Sequence, residues 1–285
     1  MTKNLFLTFG GGRRGFKYAS QRLGKEVEYS GWESDQLILN SKSGSRLIGK
    51  EWAQHQSLMN SSKRGYGLWI WKPLIMKHAL MGTFGDYDRI FYLDAGCQFS
   101  METANARDRF SHYLALADLK GGFAFTHRNG QAGIDDYSEE TWGSLALHDS
   151  LNVGTGVRKS NQILAGCLIL THDSLDIVKT WLELCSKDNY FFLRDPNVSI
   201  EQAPSFTAHR HDQSILSILW KDSGMATIPD ETWFAPDWNS VGRNFPIWTI
   251  RNNTSISSPV RSLKSRLTQK LQINYSRIFD KVNGY

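Results

Sequence analysis

The sequence predicts an α/β domain with a mostly parallel central sheet flanked by helices, followed by a C-terminal helical tail. Short apolar runs, typical of strands buried on both faces, alternate with segments of helical periodicity over most of the chain. The 285 residues suffice for one large core, and 40% of them are hydrophobic against 21% charged. We therefore place one domain over residues 1–255 and a basic amphipathic tail over residues 256–285.

The predicted elements follow from these runs in chain order. Strands are predicted over residues 4–9, 90–93, 122–126 and 162–170. Helices are predicted over residues 16–23, 69–81, 110–119, 175–184 and 214–220. Pro73 falls in the first turn of the second of these helices, a position that tolerates proline.

Composition narrows the function classes. A net charge of +5 favours anionic partners such as a nucleotide or a phosphorylated lipid. The three cysteines lack metal-type spacing and are odd in number, which predicts a reduced, cytoplasmic protein. No apolar run is long enough to span a bilayer, and we interpret the short apolar N-terminal run as a strand rather than a signal peptide. Zinc-finger spacing and the aromatic signature of an RNA-binding sheet are absent, so nucleic acid is not an expected partner.

The stretch DRIFYLDAGC, residues 88–97, brings Asp94 to the end of an apolar strand, ahead of Ala95 and Gly96. In open α/β sheets, ligands bind at the carboxyl ends of the strands, and small neighbours let a ligand approach the backbone. Alternatively, Asp94 caps a turn or a following helix. This segment alone leaves both interpretations open.

The turn FGGGRRG, residues 9–15, matches G-x-G-x-x-G at Gly10, Gly12 and Gly15. With Glu33 and Asp35 about 20 residues further on, the match suggests a dinucleotide site and hence an NAD-dependent oxidoreductase. The candidate second strand, residues 26–32, is polar and short, which weakens the match. The other interpretations are a nucleotide turn beside Arg13 and Arg14, or a plain surface turn.

Two further stretches combine charge with rings or amides. In KRGYGLWIWKP, residues 63–73, cations interleaved with aromatic rings suit a ligand that carries phosphate together with a base or a sugar; simple packing on the sheet is the alternative. In HRHDQSILSIL, residues 209–219, five polar residues precede an apolar helix. A carboxylate and an amide there suit sugar hydroxyls, and imidazoles suit a metal or phosphate, but Asp212 alone is also a typical helix cap.

In chain order, RGYGLWIWKP, YLDAGC, QILAGCLIL and HRHDQSILSIL resemble the motifs of GT-A-fold glycosyltransferases. The resemblance is to bacterial and viral sugar transferases of surface polysaccharide synthesis and, more distantly, to the family of glycogenin and the lipooligosaccharide galactosyltransferases. It covers roughly residues 4–240. It implies transfer of a sugar from a nucleotide-diphosphate sugar to a saccharide or lipid-linked saccharide acceptor.

The resemblance also assigns roles by position. The residues it places around the nucleotide sugar are Phe9 and Gly10 at the base, Arg64 and Lys72 at the diphosphate, Asp94 at the D-x-D position, and Ala165 and Gly166 at the donor sugar. Asp212 and Gln213 match the catalytic acid–amide pair beside the reacting sugar in retaining members, which favours retention. In an inverting enzyme Asp212 would instead be the base on the acceptor hydroxyl.

The sequence departs from the family at its metal site. Asp94 is a single carboxylate where D-x-D has two, and the metal-binding histidine near the C-terminus has no clear counterpart. A requirement for Mn²⁺ or Mg²⁺ therefore stays open. Candidate ligands are Asp94, His209 and His211, while Lys72 or Arg64 would replace part of the metal's charge.

A non-catalytic nucleotide- or carbohydrate-binding relative of the fold is the main alternative function. The tail adds a separate expectation, because Val260, Leu263, Leu267 and Leu271 recur at helical spacing with basic residues on the other faces. Such a helix suits reversible contact with an anionic membrane at its inner face. Packing of the tail on its own domain is the competing interpretation.

Overall fold

The computed structural model describes residues 2–62, 64–233 and 240–254. At its centre is a six-stranded sheet in the order β2-β1-β3-β6-β5-β7. Its strands are β1 (Asn4–Phe9), β2 (Asp35–Leu39), β3 (Arg89–Leu93), β5 (Gly122–Thr126), β6 (Ile163–Thr171) and β7 (Ala226–Pro229). A small second sheet pairs β4 (Gln98–Phe99) with β8 (Ile247–Trp248) in antiparallel fashion.

Strand β6 runs against the other five strands of the large sheet. It pairs antiparallel with β3 and β5, whereas β1 pairs parallel with β2 and β3, and β5 pairs parallel with β7. The predicted α/β class with a mostly parallel sheet is thus confirmed. The reversal of β6 was not predicted, because an apolar run does not encode strand direction. It places the start of β6 at the edge where β1, β3 and β5 end.

Helices pack on both faces of this sheet. Their bounds are α1 (Arg14–Tyr29), α2 (Ser41–Ile48), α3 (Lys50–Gln54), α4 (Gln56–Ser61), α5 (Gly65–Leu68), α6 (Trp71–Leu80), α7 (Ala104–Lys120), α8 (Glu139–Trp142), α9 (Leu145–Ser150), α10 (Thr155–Arg158), α11 (Leu175–Tyr190) and α12 (Asp212–Ser223). Helices α1 and α7 contribute to the core on one face, and α6, α11 and α12 contribute to the core on the other. All five predicted helices are present, with bounds shifted by a few residues.

Strand periodicity sorts the side chains between these two cores. In β3, Phe91 and Leu93 belong to the core beneath α1 and α7, while Ile90 and Tyr92 belong to the core beneath α6, α11 and α12. Because successive side chains alternate, Asp94 continues the series of Tyr92. The carboxylate therefore faces the α6 and α12 side of the sheet.

The second strand begins later in the chain than predicted. Of the candidate strand over residues 26–32, residues 26–29 end helix α1, and β2 begins at Asp35. The tail predicted over residues 256–285 lies outside the described residues. None of the described helices has both the length and the apolar character needed to cross a bilayer.

Candidate active site

Asp94 follows β3 directly and is held on three sides. The Tyr92 hydroxyl donates to Asp94 Oδ1 at 2.5 Å, and the Asp94 backbone N–H donates to the Gly166 carbonyl at 2.8 Å. A Cβ on Gly166 would lie 2.8 Å from Asp94 Oδ2, so only glycine allows this approach. The Asp94 side chain is still 41% exposed. It is therefore fixed in direction and open to a ligand.

Lys72 is the buried cation that joins the site together. Its side chain is only 3% exposed, and Nζ lies 3.1 Å from Asp94 Oδ1, 3.5 Å from Asp212 Oδ2 and 3.2 Å from the Ala165 carbonyl oxygen. Burial lowers the pKa of Lys72, but the two carboxylates outweigh burial and the net pKa is raised. The ammonium is thus charged, and its three protons all face protein oxygens.

A left-handed turn ahead of α6 delivers Lys72 to this position. The φ angles of Gly65, Tyr66, Gly67, Leu68 and Trp69 are all positive, between 51° and 87°. Non-glycine residues pay about 1–2 kcal/mol each for this conformation. Packing compensates, because the Trp71 indole donates to the Gly65 carbonyl at 2.9 Å and a Cβ on Gly67 would lie 2.8 Å from the Met59 backbone. The glycine–aromatic stretch is therefore a strained turn that starts the helix carrying Lys72.

Asp212 is the first residue of α12 and not its cap. His211 occupies the N-cap position, and no side chain makes a capping hydrogen bond there. Asp212 is 3% exposed, and its Oδ2 has no hydrogen-bond partner among the described residues although Lys72 lies within ion-pair distance. Burial raises the pKa of Asp212 to about 7, Lys72 opposes the shift and Asp94 adds to it. This buried oxygen thus has only the Lys72 ammonium nearby, at 3.5 Å, and an acceptor so incompletely satisfied is unusual outside functional sites.

The two histidines before Asp212, His209 and His211, form hydrogen bonds with backbone groups. His209 uses both ring nitrogens, one accepting from the Ser144 N–H at 3.2 Å and the other 2.8 Å from the Phe192 carbonyl. His211 lies 2.8 Å from the Leu193 carbonyl and holds a strained φ of 50°. These contacts make His209 unfit as a metal ligand and tie His211 to the chain that positions Asp212.

A buried hydrogen-bond relay fixes the amide of Gln213. The Glu139 carboxylate accepts from Gln162 Nε2 at 2.9 Å, so Gln162 must present its oxygen to Gln213 Nε2, 3.1 Å away. Gln213 Oε1 then accepts from the Ala165 N–H at 3.4 Å. The remaining Nε2 proton faces His127 Nε2 at 3.4 Å, so that nitrogen is an acceptor and His127 is neutral. Buried hydrogen bonds to Gln162 and the Ala165 backbone therefore orient the Gln213 amide, which lies next to Asp212 in the chain.

Phe9, Gly10 and Arg64 border the site without touching Lys72. Phe9 is 4% exposed and stacks on Trp71 with centroids 4.1 Å apart, so only its backbone borders the cleft. A Cβ on Gly10 would lie 2.2 Å from Ser20 Oγ, which explains the glycine by close packing of α1. Arg64 precedes the left-handed turn, and its charge helps to lower the pKa of His211 after the larger effect of burial.

The dinucleotide interpretation fails on the position of its acidic residue. Asp35 starts β2 and pairs in register with Leu5, whereas Leu39 pairs with Phe9. The carboxylate therefore lies at the far end of the strand from the glycine turn. In a dinucleotide site the acidic residue must reach the ribose of a ligand bound at that turn.

The donor set does not make a metal site by itself. Within the described ranges, no three His, Cys, Asp or Glu side chains are grouped so as to hold a metal ion. Lys72 occupies the space between Asp94 and Asp212 where a cation would bridge them, and His209 is fully engaged. The exposed carboxylate of Asp94 alone has the chemistry of a metal ligand.

Sequence reasoning missed several residues that build the site. In the sequence, Tyr92 is one more ring in the apolar strand over residues 90–93, and Gln162 is the polar first residue of the strand predicted over residues 162–170. No sequence pattern indicated a role for Glu139. Arg22 is also buried, and its guanidinium donates to the carbonyls of Ala95 at 3.1 Å and Cys97 at 2.7 Å, which fixes the turn after Asp94. A signal for Arg22 existed, because an arginine on the inner face of an amphipathic helix needs a buried partner.

Comparisons with known proteins add similarity of fold. No protein-family model and no curated protein sequence matches the chain. Mouse xyloside xylosyltransferase 1 in its apo form is 12% identical with a TM-score of 0.46, over 90% of this chain and 100% of that one. The apo-form glycosyltransferase GlyE of Streptococcus pneumoniae TIGR4 is 13% identical with a TM-score of 0.37, over 90% of this chain and 55% of that one.

A third solved structure is a glycosyltransferase involved in glycosylation of the major capsid of PBCV-1. It is 8% identical with a TM-score of 0.40, over 95% of this chain and 99% of that one. The chain is thus similar in structure to glycosyltransferases from a mammal, a bacterium and a virus. Identities this low carry no information about what this chain transfers.

Proposed function

We propose that this protein is a glycosyltransferase that uses a nucleotide-diphosphate sugar as donor and a saccharide as acceptor. One observation carries the proposal: a buried ammonium, Lys72, holds two carboxylates, Asp94 and Asp212, at the ligand-binding edge of the sheet. The Asp94 carboxylate is exposed and can accept further hydrogen bonds, whereas Asp212 Oδ2 is buried and has, among the described residues, only the Lys72 ammonium beside it. Unused acceptors of this kind suit the hydroxyl groups of a sugar.

The order of residues along the sheet edge matches the parts of such a donor. Gly10 directly follows β1, Asp94 directly follows β3, and Ala165 lies near the start of β6. We place the nucleotide at the glycine turn, where backbone amides and a helix start suit phosphate. Arg64 supplies positive charge to the diphosphate, and the sugar lies over Asp94, Ala165 and Gly166.

Lys72 acts on this donor by positioning. Because its protons face protein oxygens, it fixes the two carboxylates and supplies a preorganised positive charge beneath the leaving group. Asp212 and the oriented amide of Gln213 then contact the reacting sugar. Mn²⁺ or Mg²⁺ would add charge at the exposed oxygen of Asp94. Within the described residues, no group of three His, Cys, Asp or Glu side chains could hold such an ion.

The finer parts of the proposal rest on the resemblance and the charge. A retaining reaction, a lipid-linked acceptor, a role in surface polysaccharide synthesis and a cytoplasmic enzyme at the inner face of a membrane are expectations of this kind. The basic tail, residues 256–285, is the segment proposed to contact the membrane.

Donor hydrolysis and transfer, screened over UDP-, GDP- and CMP-sugars with and without Mn²⁺ or Mg²⁺, test the proposal. We expect release of a nucleoside diphosphate from one donor class by the native chain and loss of that release in the Lys72→Met variant. Binding of a nucleotide sugar without turnover would favour the non-catalytic relative of the fold. Thermal stabilisation by NAD, and by no nucleoside diphosphate, would overturn both.

A further inference from the structure

A second group of charged and aromatic side chains lies beside Gln213, on the side of β5. We call it the Arg210 cluster; it consists of Arg210, Arg251, His127, Tyr137 and Trp142. The Arg210 guanidinium lies 3.9 Å from the centre of the Trp142 ring and 4.9 Å from that of Tyr137. The ring of Tyr137 stacks on His127 with centroids 4.4 Å apart. The guanidinium is therefore in contact with two aromatic rings, one of which is supported by the His127 ring.

The two arginines of this cluster have no ion-pair partner within the described part of the chain, and Glu139, the carboxylate that acts on Arg210 from further away, is itself paired with Lys221. The ion pairs formed by arginines there belong to Arg22, Arg89, Arg109, Arg158 and Arg243. Neither Arg210 nor Arg251 forms one. The two cations are close enough to act together, because after burial both lower the pKa of His127, and Arg251 also lowers that of Arg210. Two arginines near one neutral imidazole form a site for an anion.

His127 and Arg210 lie on the side of the sheet edge that we assign to the acceptor, and Arg251 reaches the cluster from the chain that passes over Gly96, in the turn after Asp94. Along the sheet edge the glycine turn follows β1, Asp94 follows β3, and β6 starts next to β3, where the proposed function places the donor sugar. The next strand is β5, and His127 comes directly after it. Gln213 connects the two regions, because its amide lies 3.4 Å from His127 and borders Asp212. A ligand over β5 would therefore lie next to the reacting sugar.

We propose that Arg210 and Arg251 bind an anionic group, a carboxylate or a phosphate, on the acceptor saccharide. This inference rests on the proposed function and names the class of its acceptor. Trp142 offers a half-exposed ring against which a sugar face packs, while the planar guanidinium donates two parallel hydrogen bonds to the anion. Acidic saccharides and sugar phosphates both meet this description.

Ligand-detected NMR titration of the full-length chain tests the inference with three probes: methyl β-D-glucuronide, glucose 6-phosphate and neutral methyl β-D-glucoside. We expect at least one charged probe to bind about tenfold more tightly than the neutral one, and Arg210→Gln to remove that difference. The two charged probes distinguish a carboxylate from a phosphate. Arg46→Gln, an equal charge change at an exposed residue of α2, is the matched control and should bind as the native chain does.

Several outcomes would overturn the inference. Equal binding of charged and neutral probes, no measurable binding of either charged probe, or an equal loss in Arg46→Gln would each do so. If Arg210→Gln fails to fold, Arg251→Gln replaces it, because Arg251 is exposed. Stabilisation by UDP or GDP is measured on the same samples. Nucleotide binding that persists without acidic-saccharide binding refutes the acceptor inference alone, whereas loss of both refutes the proposed function as well.

Discussion

Two lysines of this protein, the buried Lys72 and the partly buried Lys221, have opposite surroundings. Lys221 Nζ lies 2.6 Å from Glu139 Oε1, and the same carboxylate also accepts from Ser217 and Gln162, so every group of this cluster is satisfied inside the core. Lys72 is shared between Asp94 and Asp212, one exposed and one with an unpartnered oxygen. Burial lowers the pKa of Lys221, whereas two carboxylates raise that of Lys72.

The difference separates an ion pair that supports the fold, and through Glu139 and Gln162 the Gln213 amide, from the group that is open to a ligand. Glu139 with Lys221 is a closed, neutral unit that joins α8 to α12. Lys72 with its two carboxylates carries one excess negative charge when both are ionised, and it opens to solvent at Asp94. A cluster that is incomplete without a ligand is typical of a binding or catalytic site.

The largest expected effect is the loss of turnover in Lys72→Met. Removing the cation releases both carboxylates, and we expect donor turnover to fall by about 10³-fold, equivalent to about 4 kcal/mol in the barrier. Lys221→Met should act mainly on stability: the free energy of unfolding falls by about 3–5 kcal/mol, while turnover per folded molecule falls far less than in Lys72→Met, because Lys221 reaches the Gln213 amide only through Glu139 and Gln162. Urea unfolding and donor hydrolysis measured on both variants check this. Equal losses of turnover would remove the distinction between the two lysines.

Asp94→Asn tests the exposed carboxylate that pairs with Lys72. The amide keeps an oxygen for the Tyr92 hydroxyl but removes the charge that faces Lys72. We expect about a 100-fold loss of turnover, weaker nucleotide-sugar binding and an unchanged fold. Far-UV circular dichroism and isothermal titration provide the measurements. Native turnover in this variant would return Asp94 to the role of a turn residue.

Asp212→Asn tests the buried carboxylate that pairs with Lys72. We expect turnover to fall by more than about tenfold, or about 1.4 kcal/mol in the barrier. Because burial raises the pKa of Asp212 to about 7, its ionised form is costly, and the neutral amide should keep or raise the melting temperature at neutral pH. In the native chain, turnover that needs the ionised carboxylate should rise as pH increases through about 7.

A purely structural Asp212 predicts a different pair of results. If Asp212 only pairs with Lys72, its replacement by Asn would remove one of the two carboxylates facing that ammonium, lower the free energy of unfolding and leave turnover unchanged. Melting and turnover measured on one sample of Asp212→Asn therefore discriminate the two roles.

The smallest expected effect concerns the histidines that support Asp212. Burial lowers the pKa of His209 to about 3 and that of His211 to about 4. The unfolded chain therefore binds more protons below the ordinary histidine pKa of about 6.5, and stability decreases as pH falls from there. Each histidine contributes at most about 1.4 kcal/mol per pH unit. Urea unfolding between about pH 5 and pH 7 should show this slope, and His209→Gln should reduce it.

The sequence predicted the parts of the site that depend on local patterns. Asp94 was found because an apolar run ends in a carboxylate, and strands β1 and β5 were predicted with their observed bounds. Asp94 and Asp212 were expected to face one cleft, but their joint contact with Lys72 depends on distances across the fold that no local pattern encodes. Gly65 and Gly67, just before α6, are residues that readily adopt the positive φ angles seen there. Positive φ at Leu68 and Trp69, which only packing makes tolerable, was beyond prediction.

Strand β6 has a consequence for how the chain is made. In the six-stranded sheet it alone connects the β2-β1-β3 half to the β5-β7 half. Both neighbours of β5 lie later in the chain, so on the ribosome the apolar segment GFAFT emerges with its two edges unpaired. Both edges of this segment stay unpaired until β6, which ends at Thr171, has left the exit tunnel. Unpaired apolar edges invite association between nascent chains, so we expect synthesis of this protein to depend on chaperones during that interval.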